Sequence, residues 1–191
     1  MYTASFFIYC VIATFTPGPT NIVILSTVKQ SGPKTAMKYT YGATLAFGLL
    51  LVLSAVLNNV LVMILPKILI AMQIAGSMYM LYLAYLIFKT NSSNSTTTQK
   101  ATFLSGFMMQ FLNPKVILFA LTVIPAFIMP YKSGSAAITL GIIIITGIGF
   151  LAFTTWVLFG TIFKAFLQKH NKIVNVMMAL LLVYAAVMIW T

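Results

Sequence analysis

Not one aspartate or glutamate occurs in these 191 residues, and arginine is absent too, so all eleven basic side chains are lysines. Without a carboxylate there is no Asp/Glu general base, no acidic proton relay and no hard-oxygen site for Mg²⁺ or Ca²⁺. A single histidine, His170, and a single cysteine, Cys10, are too few to build a zinc site. Nor can a nucleophile be paired with a base from this inventory, which argues against an enzyme, including an intramembrane one. No metal or cofactor is expected. Cys10 has no second cysteine to bridge to, and its plain reading is a small core residue.

What is present is apolar. Hydrophobic residues make up 61% of the chain and charged ones 6%, far from the roughly 25% charge of an average soluble domain. Mean hydropathy is +1.06. Runs long enough to cross about 30 Å of hydrocarbon recur at Thr3–Val28, Tyr39–Leu57, Ile68–Phe88, Phe103–Met129, Ala136–Phe163 and Ile173–Trp190. The expected fold is therefore an all-α integral membrane protein of six transmembrane helices, one domain over 1–191. Its halves, 1–90 and 100–191, are joined by the polar, low-complexity stretch 91–99. Lacking a basic n-region and a cleavage site, Thr3–Phe15 reads as part of a retained span.

Lysine asymmetry gives an orientation. Lys29, Lys34, Lys38, Lys89, Lys100, Lys164, Lys169 and Lys172 fall in alternate loops on one side of a six-span chain, against Lys67 and Lys132 on the other. Lysine-rich loops stay cytoplasmic, which places both termini outside. Because the lysines are scattered and flank spans, anionic lipid headgroups rather than nucleic acid are their expected counter-charge. The same asymmetry opposes glycosylation of the two sequons in 91–99, which would need a lumenal loop.

The halves resemble each other faintly. Pro19 and Pro114 each open an apolar run, Gly42 and Gly48 match Gly141 and Gly147, and Tyr82 and Phe88 match Tyr184 and Trp190, at offsets of 95, 99 and 102. An odd number of spans per half would make this an inverted repeat. The four glycines themselves read as close helix packing.

Two interruptions carry the chemistry. Thr16-Pro17-Gly18-Pro19-Thr20-Asn21 lies deep inside the first run, where two prolines remove amide donors and disfavour helix before them. Pro19 suits the first turn of a restarted helix. Gln110-Phe111-Leu112-Asn113-Pro114-Lys115 interrupts the fourth run, with Asn113 a fitting N-cap and Pro114 a fitting first residue. Each restarted helix presents free N–H groups and a positive dipole end, which attract an anion such as a carboxylate. The plainer alternative for the first stretch is a structural kink. Lys115 is the one lysine well inside a run. An unpaired ammonium at the bilayer centre costs about 2.5–3.5 kcal/mol, and no acid exists to pair with it. It sits in a wet cavity, takes an anionic ligand, or is left neutral by desolvation; otherwise the fourth span starts later and Lys115 lies at the surface.

These pieces in order — PGP in the first run, AGSMYMLYLAYLIFK closing the third, and GFMMQFLNPKVILFAL opening the second half — resemble the LysE/RhtB family of amino-acid exporters over essentially the full length. Gly106, Gln110, Phe111, Asn113, Lys115 and the ending LLLVYAAVMIW are most similar to its cysteine/O-acetylserine exporter branch. The resemblance implies export of small amino acids or related metabolites, driven by an ion gradient with H⁺ the expected coupling ion. It places functional positions at Pro17, Gly18, Pro19, Asn21, Asn113, Pro114 and Lys115. Many relatives carry Asp or Asn directly after PGP, where this chain has Thr20 and then Asn21, which removes one partner for a substrate ammonium or a proton.

The expected function is a secondary transporter that exports a small neutral or zwitterionic amino acid or derivative. Its carboxylate would sit between the two half-helix N-termini and Lys115. Its ammonium would be held by unwound carbonyls, Asn21, Gln110, Asn113 or the aromatic faces of Tyr79 and Tyr82, with Thr20 a further expected substrate-binding residue. A passive solute or anion channel and a non-transporting accessory subunit are the alternatives. Lysine without arginine hints at an AT-rich bacterial genome, hence a bacterial cytoplasmic membrane. Apolar faces serve lipid or a neighbouring protomer equally well, which leaves a homo-oligomer open.

Overall fold

The computed structural model describes residues 4–89, 101–129, 134–188 and 190, with the backbone alone at 58–69 and 72. The stretch 91–99, with its sequons, and Lys100 and Lys132 lie outside the described residues, as does the Lys67 side chain. All described elements are helices: α1 (Ala4–Phe15), α2 (Pro19–Ser31), α3 (Pro33–Lys89), α4 (Phe103–Leu112), α5 (Pro114–Phe127), α6 (Ser135–Ile162), α7 (Lys164–Lys169) and α8 (Asn171–Met188). Large apolar side chains are exposed along the bundle, among them Ile8 and Ile12 on α1, Ile143 and Leu151 on α6, and Leu180 and Tyr184 on α8. In water such a surface would aggregate; in hydrocarbon it is solvated. Three helical stretches are long and apolar enough to cross a membrane, Pro33–Leu57, Ser135–Ile162 and Asn171–Met188, and five if each of two bent pairs counts as a span. This is a multi-pass membrane protein.

Both expected interruptions are breaks. The α1/α2 pair bends by 48° and the α4/α5 pair by 68°, each with proline as the first residue of the restarted helix. At these points the missing proline N–H interrupts the ladder at a helix start, whereas Pro125 lies inside α5 without ending it. The α2–α3 turn depends on Gly32, whose φ of 84° is a region that L side chains rarely adopt. Its N–H closes the end of α2 on the Val28 carbonyl at 3.0 Å.

The second and third expected spans fall within one hydrogen-bonded helix, the 57-residue α3. That helix is not straight. A Cβ on Gly42 would lie 1.9 Å from the Phe103 carbonyl oxygen, and one on Gly76 would lie 2.7 Å from that of Leu112. These contacts sit at opposite ends of α4, about 13 Å apart, whereas a straight helix would separate Gly42 from Gly76 by about 50 Å. So α3 doubles back, and its two legs enclose α4. Ala36, Tyr39 and Ala43 of the first leg share a core with Met80, Leu83, Ala84 and Ile87 of the second. The approach of α3 to α4 is backbone to backbone. Gly106 reciprocates Gly42, since a Cβ there would stand 2.1 Å from the Tyr39 carbonyl oxygen. On α6 the tight contacts come from Gly149 against the Phe47 ring and Gly160 against Leu25 and Val28, while Gly147 faces open space. The expected packing role therefore holds for Gly42 and for Gly48, where an added Cβ would stand 3.2 Å from Thr146, and passes from Gly147 to Gly149 and Gly160.

A second core joins α1, the first leg of α3, α5 and α6 through Phe6, Cys10, Phe47, Leu51, Val123 and Ile145. Cys10 is fully buried there, as expected.

Candidate functional site

The two breaks meet. Thr20, one residue into α2, is buried, and its Oγ1 accepts from Gln110 Nε2 and from Asn113 Nδ2, both at 3.1 Å. One hydroxyl thus ties the start of α2 to the end of α4 and the start of α5. Asn113 stands at the N-cap position of α5 but makes no side-chain cap bond, because its amide is turned to Thr20. Gly18 stands at the N-cap of α2 and has no side chain to cap with. The capping role expected for Asn113 is displaced by this cross-break contact, and both helix starts are left without a side-chain cap. Their first bonded amides reach back only from Ile22 and Val116, to Gly18 and Asn113. Amides of the first turn therefore remain for an anion.

The carboxyl end of α1 is satisfied from three sides. Asn21 Nδ2 donates to the carbonyls of Thr14 and Thr16, each at 3.0 Å. Trp156 Nε1 on α6 donates to the Phe15 carbonyl at 3.1 Å. Lys115 Nζ donates to Thr16 twice, to the carbonyl at 3.1 Å and to Oγ1 at 2.7 Å. A half-helix carboxyl end carries partial negative charge, so α1 hosts the ammonium that no acid in the chain could pair with. This partner was not among those expected from sequence. Lys115 is half-buried, not on the surface, and its side chain lies over Gly18, where an added Cβ would stand 3.3 Å from Nζ.

Three buried amide oxygens at this junction, Asn21 Oδ1, Gln110 Oε1 and Asn113 Oδ1, have no hydrogen-bond partner among the described residues. Buried acceptors normally find donors. Their clustering beside an ammonium and two uncapped helix starts makes a region with both donors and acceptors unfilled.

Two cavities flank it. A small space of about 30 Å³, lined by Thr14, Thr20, Asn21, Asn113 and Lys115 with Phe47 and Phe153 as its apolar walls, has room for about one water. A larger one of about 560 Å³ begins at Pro17, Gly18, Pro19, Asn113, Pro114 and Lys115, and extends along Leu181, Tyr184, Ala185 and Met188 of α8. That volume lies within the roughly 300–1,000 Å³ of small-molecule sites. Gly18, Asn113 and Lys115 line both cavities.

Every break residue expected from the sequence is thus in one place. Tyr79 and Tyr82 are not. Tyr79 is half-buried, with its ring 6.5 Å from that of Tyr82, which is exposed, and neither lines these two cavities. Helical rotation carries Tyr82 outward, and the tyrosine at the large cavity is Tyr184. Sequence reading named Thr16 in the first interruption without a role, and missed Thr14, Trp156 and Gly76. Only Gly76 carried a signal, as the small residue of the AGS motif; it lets α3 approach Leu112 and Pro114 at the second break.

The model of the LysE type translocator family matches residues 11–191. The chain belongs to that family. Among curated proteins, this translocator is similar to the cysteine/O-acetylserine efflux proteins of Escherichia coli strain K12 and E. coli O1:K1 / APEC and of Shigella flexneri serotype 5b. Each is 29% identical over 188 residues, covering 98% of this chain and 96% of the relative. No solved structure matches it. Membership makes the chain a transporter and not an enzyme.

Proposed function

We propose that this protein is a secondary transporter that exports a small zwitterionic amino acid or derivative from the bacterial cytoplasm across six membrane segments. The substrate is of the cysteine/O-acetylserine or homoserine/threonine kind, and the gradient is one of protons. The observation that carries the reading is the junction of the breaks. It holds an ammonium and two uncapped helix starts for a carboxylate, and three unfilled amide oxygens for an ammonium or hydroxyl. The relatives' cysteine/O-acetylserine efflux narrows the substrate class to amino acids of this size.

In this mechanism the substrate enters the large cavity carboxylate first and takes Lys115 Nζ from Thr16. A carboxylate is a stronger acceptor for an ammonium than a neutral carbonyl or hydroxyl, so the exchange favours the bound state. The first-turn amides of α2 and α5 hold the second carboxylate oxygen. The substrate ammonium takes the orphaned oxygens of Asn21, Gln110 and Asn113. A second positive charge on the substrate would find no acid, which disfavours dibasic amino acids. Lys115 is the one amine lining either cavity, and so the candidate proton carrier. The two halves, each opening with a broken helix, would rock as an inverted pair about the Thr20 contact.

The test is uphill export from proteoliposomes loaded with radiolabelled cysteine, O-acetylserine, homoserine or threonine, with and without an uncoupler. Uncoupler-sensitive accumulation of at least one, lost in Lys115→Ala, is expected. Flux that ignores the uncoupler would make the protein a passive pore, and no flux of any of the four would sink the substrate reading. Proton-coupled export retained in Lys115→Arg, whose guanidinium cannot release a proton at working pH, would remove the titrating role.

A further inference from the structure

A second lysine is buried away from this junction. Lys29, in the last turn of α2, is 5% exposed, the one fully buried lysine among the described residues. Sequence placed it in a lysine-rich loop. The structure instead turns it into the bundle, where Nζ donates to Oδ1 of Asn175, itself fully buried on the second turn of α8. From α7, Gln168 Nε2 donates to the Lys29 carbonyl at 3.3 Å. One turn earlier, Leu25 and Val28 lie against Gly160 of α6, where an added Cβ would stand 3.1 Å from each. The last two turns of α2 are therefore sealed against α6, α7 and α8, all from the second half of the chain.

The other end of α2 is different. Pro19 and Ile22 face the large cavity, which continues along α8 to Met188, away from Asn175. Because α2 and α8 run antiparallel, that cavity opens toward the end of the bundle opposite Lys29. On the other side of the break junction a cavity of about 270 Å³, lined by Phe15, Thr155, Trp156 and Phe159, does not take in Leu25, Val28 or Lys29, so the packed last turns of α2 close the end that carries Lys34, Lys38, Lys89, Lys164, Lys169 and Lys172.

We propose that the Lys29–Asn175 contact is the gate at the lysine-bearing end of the transport path, a role that rests on the transporter reading above. The chemistry suits a contact made and broken in every cycle. A buried ammonium with a neutral amide partner at a helix carboxyl end is satisfied, yet held more weakly than by a carboxylate. An acid at position 175 would lock it. When α2 parts from α8, Lys29 is the ammonium that a carboxylate meets inside the bundle once past the surface lysines, about 15 Å from the Pro19 end of the same helix.

The test uses full-length protein in vesicles of known orientation, with Cys10→Ala removing the native thiol and Ile22→Cys as the reporter. A membrane-impermeant maleimide is applied from the lysine-bearing side, without substrate. Asn175→Ala is expected to raise labelling several-fold. Asn175→Asp is expected to lower labelling and export at least tenfold, and adding Lys29→Gln to restore both. Unchanged labelling in Asn175→Asp, or no restoration by Lys29→Gln, would overturn the gate. Should Asn175→Asp fail to insert, a Lys29→Cys/Asn175→Cys disulfide takes its place: it must block reporter labelling, and reductant must return it. Labelling that persists through the cross-link overturns the proposal equally. Since labelling is read with no substrate present, a missing gate is distinguishable from a protein that exports nothing.

Discussion

Thr20→Val removes one hydroxyl and almost nothing else, which makes it the sharpest probe of how the two breaks are joined. The residue is 3% exposed, and its Oγ1 is the shared acceptor of Gln110 and Asn113. Valine keeps the shape and leaves both amide donors without that acceptor. A buried donor stripped of its partner costs about 1–3 kcal/mol in soluble proteins, while interhelical bonds within membranes average about 0.6 kcal/mol. Two bonds at the membrane value come to about 1.2 kcal/mol and one fully stripped donor to as much as about 3 kcal/mol, so the loss is about 1–3 kcal/mol. If the contact must persist while the halves rock, export should fall by about 5- to 150-fold, since about 1.4 kcal/mol is a factor of ten. Initial rates from proteoliposomes of equal protein content, beside melting in detergent, would measure both. Thr20→Ser keeps the hydroxyl and should stay within a few-fold of the parent. In the Thr20→Val/Gln110→Met double variant the losses should be less than additive, because both changes remove the same bond. Parental export in Thr20→Val would refute the reasoning. So would an equal fall in Thr20→Ser, which would trace the effect to the lost methyl rather than the hydroxyl.

Gly42→Ala and Gly106→Ala each drive a methyl into a backbone carbonyl; both should lose folded protein on detergent extraction, whereas Gly147→Ala, with open space around it, should extract and melt like the parent. Gly32→Ala forces a side chain onto a φ of 84°, and thermal melting should show about 1–3 kcal/mol of destabilisation without a change in substrate preference. Asn21→Leu leaves the Thr14 carbonyl without its Asn21 donor and reduces Thr16 to its Lys115 contact, so export should drop at least tenfold. An Asn21→Leu protein that exports normally would show that the side-chain closure of α1 is dispensable.

The breaks were legible in the chain because proline and glycine act through covalent structure. Pro17, Pro19 and Pro114 lack a backbone donor in any fold, which favours a stop in the ladder there, although Pro125 stays inside α5. Their depth within apolar runs marked them as candidates for a site, since unwound backbone in hydrocarbon must face protein or water. The site residues Thr20, Asn21, Gln110, Asn113 and Lys115 followed by proximity to those stops. Tyr79 and Tyr82 did not, because their place on the second leg of α3 depends on how that helix doubles back and rotates. Lys29 was misplaced for a similar reason. Counting lysines near span ends says nothing of whether one of them turns inward, and Asn175, its partner, lies 146 residues away in the chain.

Composition alone settled what solvent this protein needs and which chemistry it must do without: a chain that is 61% hydrophobic and has no acidic side chain belongs in lipid and meets its charges with dipoles, amides or ligands. Only the tertiary structure decided which ones. The Thr16 contact with Lys115, the Thr20 hydroxyl shared by two amides, the Asn175 acceptor for Lys29 and the reciprocal glycines of α3 and α4 are pairings between distant segments. Each partner is an ordinary neutral group with no pattern of its own. Proline writes its constraint into the local backbone, whereas a hydrogen bond between neutral groups exists only once packing has brought both ends together.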